Sequence, residues 1–262
     1  MHYANCVKHL VLYSYCYQQV HVDGRKPIHH SAIYGDPDTT QLLIDHGVDP
    51  DTPMKDGRRP LLLACIENNI SVVQILLKYK IDINRVYSNS FTALSVAVTN
   101  SFDEIIQILL DSGADPNIIG EGKYLPLIHS IIQGYMCGTV LLVQAGASIN
   151  MAADAGKYPL EVAILKKNLQ AVQFLLEVGA DPNLLHTIIQ EGTIVFFIED
   201  DFLLNAVTYL SKQPLSLHIL SRDIIRQQLR RPFASTINQV NLPQSLKDFV
   251  MMMDLKKKWI PK

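Results

Sequence analysis

Runs of closely spaced apolar residues recur along the chain between short polar breaks. The densest are Leu42-Leu43-Ile44, Val72-Val73 with Ile75-Leu76-Leu77, Ile105-Ile106 with Ile108-Leu109-Leu110, Val140-Leu141-Leu142-Val143, and Val172 with Phe174-Leu175-Leu176. Apolar positions within them fall at i, i+3 and i+4, the spacing that gathers side chains on one face of a helix. Each run follows a shorter apolar stretch, opened by Pro27-Ile28-His29, Pro60-Leu61-Leu62, Ala93-Leu94-Ser95, Pro126-Leu127-Ile128 or Pro159-Leu160-Glu161. Proline suits the first helical turn, where its missing N–H would have no partner anyway. The pattern therefore predicts helix pairs, a short first helix and a more apolar second. Small residues (Ala32, Ala64, Ala97, Ser130 and Ala163) stand where the two helices must approach closely.

The polar breaks repeat as well. Asp111-Ser112-Gly113-Ala114-Asp115-Pro116-Asn117 returns almost unchanged as Glu177-Val178-Gly179-Ala180-Asp181-Pro182-Asn183, with looser copies at 45–51, 78–84 and 144–150. Aligning Gly47, Lys80, Gly113, Gly146 and Gly179 gives a constant period of 33 residues. A fixed period in this range marks a repeat architecture, each unit burying its apolar face on the next. Glycine after the second helix is expected in the left-handed conformation that closes a helix, and the Asp-Pro-Asn corner is expected to be extended. Lys80 replaces the glycine in the second unit. The units start at 23, 56, 89, 122 and 155, each on a turn signal (Asp23-Gly24, Asp56-Gly57, Asn89-Ser90, Gly122-Lys123, Gly156-Lys157).

The flanks read differently. Residues 1–22 form an N-terminal capping segment with an apolar pattern at Val7, Leu10, Val11 and Tyr15. Five repeats fill 23–187, and a degenerate capping repeat or linker spans 188–213, with Phe202–Leu210 as its second helix. Residues 214–253 change register. Leu217, Leu220, Ile224, Ile225 and Leu229 follow helical spacing, and Pro243 starts a last helix. A segment this short buries its own apolar surface poorly and needs something to lean on. Residues 254–262 are a basic tail.

Composition narrows the function. The 262 residues are 48 % hydrophobic and 18 % charged, enough for a core. A net charge of −2 argues against a nucleic-acid binder. The four cysteines (Cys6, Cys16, Cys65, Cys137) form no C-x-x-C pair, and no membrane span or leader pattern is read. These features suggest a cytoplasmic protein, the nucleus being the alternative compartment. No enzyme motif is present: no G-x-S-x-G, no phosphate-cradling glycine loop, no H-E-x-x-H. The pair His29-His30 invites a metal, but His29 stands at a helix opening, where a structural hydrogen bond is the better reading. Glu199-Asp200-Asp201 lies near a helix start, where negative charge suits the dipole. No metal, cofactor or catalytic residue is assigned.

The turn–helix–helix unit over 23–187, with openings like T-P-L-H and closings like G-A-D-P-N, resembles the ankyrin repeat. The opening threonine survives only as Thr92 and the histidine only as His29. In the family this pair ties neighbouring units together, so its loss is expected to soften the stack without changing the fold. The segment from Ser216-Leu217 through Ser221 and Ile225 to Val240-Asn241-Leu242-Pro243 and Leu246-Lys247-Asp248-Phe249 resembles a SOCS box. Ser221 stands where the box usually has cysteine, and Asn241 where it has the first proline. The fold class expected is all-α, an ankyrin-repeat solenoid followed by a small helical SOCS box.

This resemblance implies a non-catalytic recognition subunit of a ubiquitin ligase. Leu217, Leu220, Ser221 and Ile225 would bind elongin C of the elongin B/C adaptor. Leu242 and Pro243 would select the fifth cullin with its RING protein. The repeats would hold an unknown target protein. First helices and turn tips make the binding surface of such arrays, and the tips here are read as Met54, Lys55, Arg58, Tyr87, Asn89, Glu121, Lys123, Tyr124, Asp154, Lys157 and Tyr158. Arg58, Tyr87, Lys123, Tyr124, Lys157 and Tyr158 are the expected target contacts, since aromatic and charged anchors carry much of an interface. The alternative is a plain ankyrin scaffold whose last helices only cap the stack, a reading Ser221 and Asn241 favour.

Overall fold

The computed structural model describes residues 23–87, 91–119, 124–153 and 156–181. Among them all regular structure is helical, in ten α-helices. They are α1 (Pro27–Tyr34), α2 (Pro37–Asp45), α3 (Pro60–Ile66), α4 (Ile70–Leu76), α5 (Ala93–Thr99), α6 (Asp103–Asp111), α7 (Pro126–Ile132), α8 (Met136–Gln144), α9 (Pro159–Leu165) and α10 (Leu169–Val178). The chain divides into two compact bodies, Met1–Ala114 and Asp115–Lys262. The sequence expectations for 1–22, 188–213, 214–253 and 254–262 lie outside the described residues.

Each predicted pair is present, and every opening triplet begins a first helix. Helices of 7–10 residues do not persist alone; packing holds them. In the N-terminal body α1, α3 and α5 form one layer and α2, α4 and α6 a second, each helix against its pair mate and its layer neighbours. In the C-terminal body α7 and α9 pack together, as do α8 and α10, and the pairs α7/α8 and α9/α10 close across the layers.

Two apolar columns with the period of 33 hold each body together. Ile28, Leu61, Leu94, Leu127 and Leu160 are at most 3 % exposed, and Leu43, Leu76, Leu109, Leu142 and Leu175 at most 2 %. Fully burying such a side chain contributes roughly 1.5–3 kcal/mol. A third column consists of the small residues, and here one expectation is corrected. The periodic member in the first unit is Ser31, not Ala32, although both are buried. The Ser31 hydroxyl accepts from Thr40 at 2.9 Å, and Ser130 and Thr139 pair at the same places in the fourth unit, also at 2.9 Å. The other units meet there with Ala64 and Val73, Ala97 and Ile106, and Ala163 and Val172, all buried.

The closing glycines behave as expected in four units. Gly47, Gly113, Gly146 and Gly179 have φ of 87°, 98°, 93° and 105°. The next N–H reaches back to the second helix: Val48 to Leu43 O, Ala114 to Leu109 O, Ala147 to Leu142 O and Ala180 to Leu175 O, at 2.8–3.0 Å. Lys80 does not adopt this conformation. The Asp-Pro-Asn corner is a turn rather than extended chain. The carboxylates of Asp49, Asp82 and Asp115 accept from the backbone N–H two residues on, at 2.9, 3.3 and 3.0 Å.

A second left-handed column was not anticipated. Gly35, Asn68, Ser101, Gly134 and Lys167, again 33 apart, have φ of 67°, 56°, 57°, 70° and 54°. Each ends a first helix, and the N–H after it bonds to the small-residue carbonyl, from Asp36 to Ser31 O through Asn168 to Ala163 O. Gly35 has a steric reason as well. A Cβ there would collide with Asn69, whose side-chain amide donates to the Ala32 and Ile33 carbonyls at 2.7 and 2.9 Å.

Candidate interaction surface

The turn tips are built by short hairpin closures. Met54 N–H donates to Arg58 O at 2.8 Å, Tyr87 N–H to Phe91 O at 2.8 Å, and Ala153 N–H to Lys157 O at 3.0 Å. Alternation along the arm then sends the side chain of this position inward. Met54 is 4 % exposed and Ala153 5 %, so Met54 is a core residue and not an exposed tip. Tyr87 occupies the same register and is half-buried. Burial, with the Asp51 carboxylate beside it, pushes its phenol far above the ordinary range.

Arg58 reaches solvent, yet its guanidinium lies 2.6 Å from the Asp56 carboxylate, and its Nε donates to the same oxygen at 2.7 Å. These hydrogen bonds hold Asp56 below the usual carboxylate range. Arg25 pairs likewise with Asp23 at 2.9 Å. Tyr124, Lys157 and Tyr158 are half-buried at the openings of α7 and α9. Lys157 Nζ lies 3.7 Å from Glu161, whose other oxygen accepts from Tyr158 N–H at 3.4 Å. Lys123, with Asn89, Glu121 and Asp154, lies outside the described residues, as do Leu217, Leu220, Ser221, Ile225, Leu242 and Pro243. Lys55 is exposed.

The exposed ends of the first helices were missed by the sequence reading. Tyr34 is 74 % exposed and Ile66 37 %, and Glu67, Gln133, Lys166 and Lys167 are exposed too. The Tyr34 ring stacks on His30 with centroids 6.2 Å apart. In the structure the second left-handed column marks where each first helix stops and turns outward.

His29 holds a structural post. Its Nδ1 accepts from Lys26 N–H at 2.9 Å, which leaves the proton on Nε2 to donate to Thr52 O at 2.9 Å. Lys26 Nζ donates to the Thr52 hydroxyl at 2.6 Å. The ring is fully buried, and burial lowers its pKa. Both ring nitrogens are used, so His29 has no lone pair for a metal. Among the described residues no cluster of three His, Cys, Asp or Glu could hold one. Burial also drives the Cys65 thiol far above its ordinary pKa, which makes it an inert core residue.

A period of 33 residues, a two-layer stack of helix pairs, hairpin tips and glycine closures together describe a single repeat type. The family model described as "Ankyrin repeats (3 copies)" matches residues 1–87 and 94–186. The chain belongs to the ankyrin-repeat family. A second model, described as "SOCS box", matches residues 213–251, so the chain is an ankyrin repeat and SOCS box-containing protein. No curated protein matches it. Ankyrin repeats followed by a SOCS box support the general role of a substrate receptor acting through protein–protein contacts in the ubiquitination pathway. Among the described residues no helix is long and apolar enough to cross a membrane.

Proposed function

We propose that this ankyrin-repeat protein is the substrate-recognition subunit of an elongin B/C–cullin–RING ubiquitin ligase. The observation that carries the reading is the succession of ankyrin repeats and a SOCS-box match at 213–251. In this reading the array holds the target, with Arg58, Tyr87, Lys123, Tyr124, Lys157 and Tyr158 as contacts. Leu217 anchors in elongin C, with Leu220, Ser221 and Ile225 along the same helix. Leu242 and Pro243 engage the fifth cullin. The chain makes no bond itself; it raises the local concentration of target lysines at the ubiquitin-charged enzyme. The reading places the protein in the cytoplasm.

A titration of the full chain against elongin B/C tests this, with Leu217→Asp and Leu217→Ala alongside. Truncating a buried leucine costs about 2–5 kcal/mol, so the alanine variant should lose at least an order of magnitude in affinity. Wild-type binding lost in both variants supports the ligase subunit. A folded wild-type chain that does not bind would leave a plain ankyrin scaffold.

A further inference from the structure

Of the five first-helix ends, only that of α9 carries two adjacent cations, Lys166 and Lys167. In the N-terminal body Arg25, Arg58, Arg59 and Arg85 each face an aspartate, Asp23, Asp56, Asp51 and Asp82, at 2.9, 2.6, 2.6 and 3.7 Å. Lys55, Lys78 and Lys80 of that body are exposed and pair with no carboxylate among the described residues; in the C-terminal body Lys157 is met by Glu161, and Lys166 and Lys167, exposed at the end of α9, likewise pair with none. Lys167 holds its charge at a φ of 54°, a conformation a Cβ disfavours, at a position where two other units have Gly35 and Gly134. Asn68 and Ser101 hold the same conformation in two further units, so the position accepts a side chain, and at Lys167 that side chain is a cation.

The surroundings suit a peptide. Gln133 and Lys166 occupy equivalent places on α7 and α9, which pack side by side. Ile132 and Leu165 precede them, half-buried. Tyr124 and Tyr158 stand at the opening ends of the same helices, about 10 Å away along helices of seven residues.

Resting on the reading that the repeats hold a target, we propose that the α7–α9 face docks an acidic segment of that protein. Its carboxylates sit on Lys166 and Lys167, and an apolar or aromatic side chain sits on Ile132 and Leu165. Nucleic acid fits less well. The described part of this body contains no arginine and the whole chain carries −2, whereas nucleic-acid surfaces are extended and strongly basic.

The test is selection of a random dodecamer peptide library on the full chain and on its Lys166→Glu/Lys167→Glu variant. The wild type should enrich peptides with net negative charge and at least one large apolar residue. A synthetic copy of the leading peptide should bind about tenfold more weakly to the double variant, and several-fold more weakly when salt is raised, because exposed charges are screened within about 10 Å at 0.1 M. Lys166→Arg/Lys167→Arg should retain binding. No enrichment, a pool without acidic bias, an affinity unmoved by the charge reversal, or tighter binding of a 12-nucleotide RNA would overturn the proposal. Elongin B/C binding by the same samples separates the two readings. A chain that selects acidic peptides yet ignores elongin refutes the ligase subunit alone; one that binds elongin but selects no acidic peptide refutes the docking face alone.

Discussion

Two second helices of the N-terminal body end differently. After α6 the chain turns left-handed at Gly113 (φ 98°), and Ala114 N–H caps Leu109 O at 2.9 Å. Asn84, 29 residues earlier, donates its amide to Gly113 O at 3.4 Å. After α4 none of this happens. Lys80 has an ordinary φ, Tyr79 N–H turns back to Leu76 O, and Ile81 N–H bonds only to Tyr79 O. The residue equivalent to Asn84 is Asp51, whose side chain has no N–H to offer. It takes Arg59 instead, with its carboxylate 2.6 Å from Nη1 and its backbone carbonyl as a second acceptor. The C-terminal body repeats the α6 arrangement twice. Asn117 donates to Gly146 O and accepts from Ser148 N–H at 2.6 Å, and Asn150 donates to Gly179 O and accepts from Asp181 N–H at 2.9 Å. The asparagine and the later glycine therefore act as one device. Where the glycine is lost, the asparagine is lost too, and an ion pair holds the corner.

The strongest way to break the contrast is Arg59→Ala. It strands a carboxylate that is only 24 % exposed, and hydrogen bonds to charged groups are worth about 1.5–3 kcal/mol. Urea denaturation should show a loss of about 2 kcal/mol. Asp51→Ala/Arg59→Ala should recover part of it, because removing both partners leaves no buried charge unmatched. If the double variant is as unstable as the single one, Arg59 acts through packing and the pairing is incidental.

Next in size is Gly113→Ala, which forces a Cβ into the left-handed conformation and should cost about 1–2 kcal/mol. Lys80→Gly is the counterpart. Lys80 is not left-handed, so glycine relieves nothing and adds freedom to the unfolded chain, a loss of about 0.4–1 kcal/mol. A gain from Lys80→Gly would mean that α4 can adopt the glycine closure whenever sequence allows it. Asn117→Asp sharpens the comparison further. It keeps the acceptor for Ser148 N–H but cannot donate to Gly146 O, and should cost about 1 kcal/mol by thermal melting.

Much of this was readable beforehand, for identifiable reasons. Helix openings and closing glycines answer to local backbone chemistry, so Pro60, Pro126, Gly113 and Gly179 announced themselves. The register of Ser31 against Ala32 did not, because two adjacent small residues satisfy close approach equally well on paper. Only the Thr40 hydroxyl, brought in by the fold, singles out Ser31. Met54 was misjudged because a polar loop suggests exposure, whereas hairpin pairing at Arg58 decides which side chains turn inward. The left-handed column was hidden by its chemistry: glycine at 35 and 134 but asparagine, serine and lysine at 68, 101 and 167. The SOCS box was legible as a motif, and the family match spans it at 213–251.

The smallest expected effect comes from comparing two helix openings. His29 and Ser95 do the same work for α1 and α5: each accepts the N–H three residues back, Lys26 N–H to Nδ1 at 2.9 Å and Thr92 N–H to Oγ at 2.8 Å. Only the histidine titrates. Burial is the main cause of its lowered pKa, and the charges of Lys26 and His30 add to it, while the Thr52 carbonyl works against them. The unfolded chain, with a histidine near its ordinary value, then binds a proton that the folded chain refuses. Stability from this group is complete above the unfolded pKa and falls as pH drops from there toward the folded value. Asp51 has the opposite sign, since burial raises its pKa and protonation favours the folded form, but it acts at lower pH, in the carboxylate range. Between about pH 7.5 and 5.5 the histidine should dominate. His29→Gln keeps an acceptor and a donor without titrating, so its urea midpoint should fall less across that window than the wild type's. Parallel slopes for the two proteins would show that the proton is taken up elsewhere, and that the histidine opening is no more sensitive to acid than the serine one.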